Sequence, residues 1–179
     1  ASLDITVPAE VHAIFDQFKP EVVIHTAAMT NVDTCESDLV GCELLNVKAV
    51  EYIVDACEKH RTFLCHLSTD FIFDGEAGPY NEEDLPNPIS VYGESKLKAE
   101  KIIQASSIRW AIARTVLVFG IVPDMSRTNI ILWVKKSLEE GKEINVVTDQ
   151  FRTPTLAEDL AIGCWLIAQK EAEGIFNIS

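Results

Sequence analysis

The strongest constraint in this chain is a repeated change of period. Stretches with apolar residues at helical spacing alternate with short, β-branched apolar runs, the pattern of strands covered on both faces. Val11, Ile14, Phe15 and Phe18 form a helical stripe behind Pro8, a residue suited to a first helical turn, and Lys19-Pro20 closes it. Val22–Ala27 reads as the strand that follows. Leu44, Val47, Val50, Val54 and Cys57 make a second stripe, and Phe63–Ser68 the next strand. Beyond a polar loop over Asp74–Ser90, the pattern predicts a helix from about Tyr92 to Gln104 and a strand over Trp110–Val118. Ile131, Val134 and Leu138 mark a further helix, Ile144–Val147 a fourth strand, and Leu156–Ala168 a last helix opened by Thr155 and Glu158 as a capping box.

This alternation predicts an α/β domain, doubly wound, with a mainly parallel sheet and helices on both faces. At 179 residues the chain suits a single core, and it shows no internal repeat. In such sheets ligands bind outside the carboxyl ends of the strands. Functional residues are therefore expected in Ala27–Asp33, Ser68–Gly75 and Thr115–Arg127.

Charge narrows the partners. Lys and Arg number 15 against 28 Asp and Glu, a net charge of −13, which repels the phosphate backbone of nucleic acids and argues against such a partner. A phosphate-bearing ligand must then be held by a few local cations or backbone amides. The longest apolar stretches, Thr115–Val122 and Leu160–Ala168, fall short of the ~20 residues of a membrane helix. No membrane partner and no secretory leader are expected. Five cysteines, Cys35, Cys42, Cys57, Cys65 and Cys164, show no paired or metal-finger spacing, so free core thiols in a reducing cytoplasm are expected.

Tyr92 and Lys96 lie four residues apart, on one face of the expected helix. An unperturbed phenol titrates near pH 10, and a neighbouring ammonium lowers that value by stabilising the phenolate. Such a pair can deliver a proton to a carbonyl oxygen becoming an alkoxide. Ser68-Thr69-Asp70 ends the preceding strand, where a hydroxyl could bond the same oxygen; the alternative for these hydroxyls is a turn in which they bond nearby backbone. Hydroxyl, Tyr and Lys form the proton-delivery set of a hydride-transfer enzyme that works with a nicotinamide.

Four blocks carry a family resemblance: His25–Asp33 (H-T-A-A-M-T-N-V-D), Leu67–Gly75 (L-S-T-D-F-I-F-D-G), Val91–Leu97 (V-Y-G-E-S-K-L) and Asp149–Thr155 (D-Q-F-R-T-P-T). Together, in this order, they resemble the dTDP-4-dehydrorhamnose reductase family of the extended short-chain dehydrogenase/reductase superfamily. The resemblance implies a Rossmann-like NAD(P)-binding domain over 1–179, with 120–130 and 149–155 on the substrate side. It implies NADPH or NADH as cofactor and reduction of the 4-keto group of a nucleotide-linked deoxysugar. Carried over by position, Tyr92 is the proton donor, Lys96 holds the nicotinamide ribose and lowers the Tyr pKa, and Thr69 with Asp70 contacts the sugar. Ala28, Met29 and Thr30 match the segment lining the cofactor, and Arg127 and Arg152 are candidates to meet ligand phosphates, the alternative for either being a solvated surface role. A homodimer is left open.

Departures from the pattern fall on other parts. No G-x-G-x-x-G fingerprint occurs, so the first βαβ unit is expected to lie outside this chain, as is the family's C-terminal substrate segment. Met29 stands where the rhamnose-pathway enzymes commonly have Tyr, Leu117 where a Trp packs on the sugar, and Arg152 where Gly is usual. These touch substrate identity more than proton delivery. A dehydratase would need a second carboxylate after Asp70, where Phe71 stands. Epimerases share the Tyr-Lys pair and stay open. The non-catalytic regulatory subunit of methionine adenosyltransferase, a binding module of similar pattern with Arg near the position of Arg152, is the alternative from another class.

The remaining polar and aromatic residues read as structural. His12, His25, His60 and His66 share no metal spacing, and His25 and His66 are expected as satisfied core histidines; no metal is assigned. Glu82-Glu83-Asp84 reads as a solvated loop, Trp110, Trp133 and Trp165 as packing, and Asn129 as either a substrate contact or a helix cap.

Overall fold

The computed structural model describes residues 2–121 and 129–179. Helix α1 spans Pro8–Phe18, with Pro at its first turn, and stops where Lys19 turns left-handed at φ 46°. Strand β1 is Val22–His25. Two short helices, α2 (Val32–Ser37) and α3 (Leu39–Glu43), lead through a π-helical turn at Leu44–Lys48 into α4 (Ala49–His60). Strand β2 (Phe63–Thr69) ends in a 3-10 turn at Asp70–Ile72. Helix α5 (Val91–Ala105), strands β3 (Trp110–Thr115) and β4 (Val118–Phe119), helix α6 (Ile130–Glu139), β5 (Thr155–Leu156), α7 (Ala157–Lys170) and β6 (Gly174–Ile178) complete the order.

Four strands form one parallel sheet in the order β1-β2-β3-β6, and β4 pairs with β5 alongside. Strand parity sorts the core. Leu64 and Ile112 point to one face, where they meet Val11 and Phe15 of α1, Val50, Ile53 and Val54 of α4, and Ala99 and Ile103 of α5. Phe63, Cys65, Ala111 and Ala113 point to the other, against Leu160, Cys164 and Ile167 of α7. Each fully buried aliphatic side chain contributes roughly 1.5–3 kcal/mol. Helices on both faces of a parallel sheet are the doubly wound architecture expected from the sequence. No described helix is long and apolar enough to cross a membrane.

Several local expectations fail, each for a physical reason. The expected strand Ile144–Val147 is absent: the place beside β3 is taken by β6, which pairs Ala111 with Gly174 through Thr115 with Ile178, and 144–147 joins neither described sheet. Strand β1 stops at His25 rather than Ala27, and β3 at Thr115, because Leu117 adopts a left-handed φ of 39°. Thr155 does not cap α7; its hydroxyl donates to the carbonyl of Val116 (2.9 Å), and Leu156 takes the cap position with no side-chain bond. Of the three tryptophans, Trp110 packs on the core, but Trp165 is 62% exposed and Trp133 also reaches solvent. All five cysteines are free and buried.

Candidate active site

The carboxyl end of β2 and the first turns of α5 bring the predicted catalytic trio together. Ser90 starts α5 by accepting a hydrogen bond from the amide of Gly93 (3.1 Å), which fixes the entry of the helix just before Tyr92. Gly93 is required by contact: a Cβ there would lie 2.2 Å from the carbonyl oxygen of Phe71, in the turn that follows Thr69. That close approach seats Tyr92, only 8% exposed, with its ring edge-on to Phe71 at 5.7 Å and its hydroxyl within reach of the Thr69 hydroxyl. Thr69 Oγ1 also donates to Asp70 Oδ1 (3.2 Å) and accepts from the Phe71 amide (3.2 Å).

Lys96, one turn after Tyr92, is 3% exposed. Its Nζ donates to the carbonyl of Leu67 (2.8 Å) and lies 3.0 Å from His66 Nε2. Burial pulls the ammonium down to about 8, partly countered by Glu100. The expectation that Lys96 lowers the Tyr92 pKa is not met in this chain. Burial raises the phenol above its ordinary value, and Thr69 offsets this only in part. The reason is geometric, since the ammonium faces Leu67 and His66. Tyr92 is held as a neutral phenol at neutral pH.

The Ala28–Thr30 segment is tied to this centre by a residue that the sequence reading missed. Asn46, 1% exposed in the π-helical turn, accepts from the Met29 amide (2.7 Å) and donates to the Met29 carbonyl (3.0 Å) and to Ser95 Oγ (3.0 Å). Ser95 in turn donates to the Tyr92 carbonyl (2.7 Å). One buried amide thus pins the loop after β1 to the helix carrying Tyr92. An amide inside the apolar stripe of Leu44, Val47 and Val50 was the signal for it. Met29 packs on the Cys35, Cys42 and Tyr92 cluster, whereas Thr30 faces solvent.

Arg152 Nη1 donates to Asp70 Oδ2 (2.7 Å), and its guanidinium sits 4.8 Å from the centre of the Phe71 ring. Arg152 and Leu117 line an apolar cavity of about 350 Å³ with Ile130, Val134, Val146 and Val147. Asn129 caps α6, its Oδ1 accepting from the Leu132 amide (3.0 Å), and its Nδ2 donates to the Gly120 carbonyl (3.1 Å). Arg127 and most of the 120–130 segment lie outside the described residues. His25 and His66 are buried as expected, but only His66 is satisfied at both ring nitrogens.

The description "RmlD substrate binding domain" names the family model that matches residues 1–179. The chain belongs to this family. A dTDP-4-dehydrorhamnose reductase of Aggregatibacter actinomycetemcomitans is 35% identical over 171 residues, which are 95% of this chain and 57% of that protein. Methionine adenosyltransferase 2 subunit beta of Xenopus tropicalis is 32% identical over 171 residues, 96% of this chain and 51% of that protein. A dTDP-4-dehydrorhamnose reductase of Bacillus anthracis, solved in complex with NADP, superposes with a TM-score of 0.91 at 28% identity, over 99% of this chain and 62% of that structure. The RmlD-family chain described here therefore spans a little over half the length of the curated relatives it matches.

Proposed function

We propose that the protein carrying this chain is an NAD(P)H-dependent reductase of the 4-keto group of a nucleotide-linked deoxysugar. The observation that carries the reading is the phenol of Tyr92 beside Thr69 at the carboxyl edge of the parallel sheet, one turn from buried Lys96. Of five buried polar atoms without a partner among the described residues, three, His25 Nε2, Ser68 Oγ and Thr115 Oγ1, lie at the carboxyl ends of β1, β2 and β3, Ser68 one residue before the end of its strand. Orphan groups collected at one sheet edge suit a polar ligand there.

The residues present fit a nicotinamide. Lys96 has one N–H beyond those facing His66 and Leu67, suited to a ribose hydroxyl, and the backbone of Ala28–Thr30 is held at the same edge by Asn46. When bound, the cofactor supplies the hydride. As charge grows on the sugar's carbonyl oxygen, Tyr92 gives that oxygen its hydroxyl proton, and the Thr69 hydroxyl, turning its one proton from Asp70, donates a hydrogen bond to it. The raised pKa of Tyr92 keeps it in the protonated form that a reduction consumes, and the Thr69 hydroxyl beside it partly offsets that rise. Asp70, Leu117 and Arg152 meet the sugar nucleotide.

A second reading has one specific support: the similarity to methionine adenosyltransferase 2 subunit beta is nearly as strong as that to the reductase. It makes the chain part of a binding module. The full-length protein, supplied with NADPH or NADH and a nucleoside-diphosphate 4-keto-6-deoxyhexose, is expected to consume reduced nicotinamide in step with 4-hydroxy sugar formation. Absence of turnover, together with stable association with an adenosyltransferase, would replace the reductase reading by the module.

A further inference from the structure

His66 Nε2 lies 3.0 Å from Lys96 Nζ, and on the other side of the same ring His66 Nδ1 lies 3.0 Å from His25 Nδ1. The three side chains come from β2, α5 and β1 and are all nine-tenths buried or more. Around them the charged groups are few: Lys96 itself, Glu100 further along α5, and Arg114 of β3, which binds Glu100 through two hydrogen bonds (3.1 and 2.7 Å). Glu100 is committed to Arg114, so the Lys96 ammonium relies on two neutral acceptors, the Leu67 carbonyl and a histidine ring.

A ring nitrogen accepts from an ammonium only if it carries no proton. Neutral His66 must then hold its proton on Nδ1 and donate it to His25 Nδ1, which forces the His25 proton onto Nε2. Each ring fixes the tautomer of the next. We propose that His66 and His25 are positioning residues that act through this tautomer lock, presenting a lone pair to Lys96 so that it stays charged and aimed where, among the described residues, no carboxylate bonds it.

The inference rests on the reductase reading for its catalytic meaning, not for its test. Both histidines are neutral at physiological pH: burial and the Lys96 charge bring His25 down to about 4 and push His66 well below its ordinary value. His25 Nε2 ends the line as a buried donor without a partner among the described residues, at the sheet edge where the ligand would sit. The lock therefore orients a donor at one end and an ammonium at the other.

Two measurements on the full-length protein test it. Nitrogen NMR of histidine-labelled wild type is expected to show His66 protonated on Nδ1 and His25 on Nε2; His66 protonated on Nε2 would overturn the proposal. The titration midpoint of Lys96, followed by NMR at its Cε, is expected to fall by about one pH unit in His66→Phe, which removes the acceptor. It should return towards the wild-type value in His66→Gln, whose amide oxygen can still accept. An unchanged midpoint in His66→Phe would overturn the positioning role, and should that variant not fold, the wild-type tautomers alone decide. In an active enzyme, kcat at alkaline pH follows the same shift. A wild type without turnover refutes the reductase reading and leaves both NMR results to judge the lock.

Discussion

Two regions at the carboxyl edge of the sheet are built in opposite ways. Around Thr69, Tyr92 and Lys96 the side chains are 6%, 8% and 3% exposed, and regular strands and a capped helix hold them. Between β3 and α7 the chain carries Leu117 in left-handed backbone, an apolar cavity, and Val147 and Phe151 at 61% and 95% exposure. The first region is placed by regular elements packed on the core, with Ser90 and Gly93 fixing the entry of α5. The second is placed by loops, which can change without disturbing the sheet. On the proposed function, proton delivery falls to the rigid half and selectivity to the loop half.

That division makes predictions of graded size. Lys96→Met keeps the side-chain volume and removes the charge, and is expected to lower kcat about 10²-fold or more while the fold persists. A loss confined to KM would erase the distinction between the halves. Gly93→Ala drives a methyl into the Phe71 carbonyl and must move α5 or the Thr69–Phe71 turn. It should cost about 1–3 kcal/mol in denaturant unfolding and lower kcat with it, and a neutral result would deny that the close approach seats Tyr92.

The rigid half also sets the acid stability. Because His25 titrates near 4 in the folded chain against about 6.5 unfolded, the unfolded state binds more protons between those values. Stability is present above pH 6.5 and is lost as pH falls towards 4; His66 acts in the same direction. Unfolding free energy at pH 5 is expected to lie about 2 kcal/mol or more below that at pH 7, with a flatter profile in His25→Phe. Equal stability at both pH values would show that the histidines are not buried neutral. In the loop half, Arg152→Ala removes the contact with Asp70 and the Phe71 ring. An increase of a few-fold in the KM for the sugar nucleotide, with kcat nearly held, is expected, on the scale of about 1 kcal/mol for a partly exposed pair.

Much of this was legible before any coordinates. The stripes of α1 and α4 and the buried runs of β1, β2 and β3 are carried by periodicity alone, and Tyr92 does meet Thr69. What escaped depended on partners. Strand β6 carries only a short apolar run and forms by pairing along β3, whereas Ile144–Val147, with a β-branched run of its own, pairs with no described strand. Asn46 looked like an interruption of a stripe, yet it joins two chain segments 17 and 49 residues away. The Tyr92 pKa ran opposite to the i, i+4 argument because burial outweighed a charge engaged elsewhere. Helical spacing says which residues share a face, not where an ammonium points.

The central claim is that the Tyr92 phenol donates the proton that completes ketone reduction. Steady-state kcat of full-length wild type and Tyr92→Phe, compared at matched NADPH saturation with a 4-keto nucleotide sugar, tests it most directly. The account predicts a loss of about 10²–10⁴-fold in the variant with cofactor affinity unchanged. A Tyr92→Phe enzyme within a few-fold of wild type would contradict it.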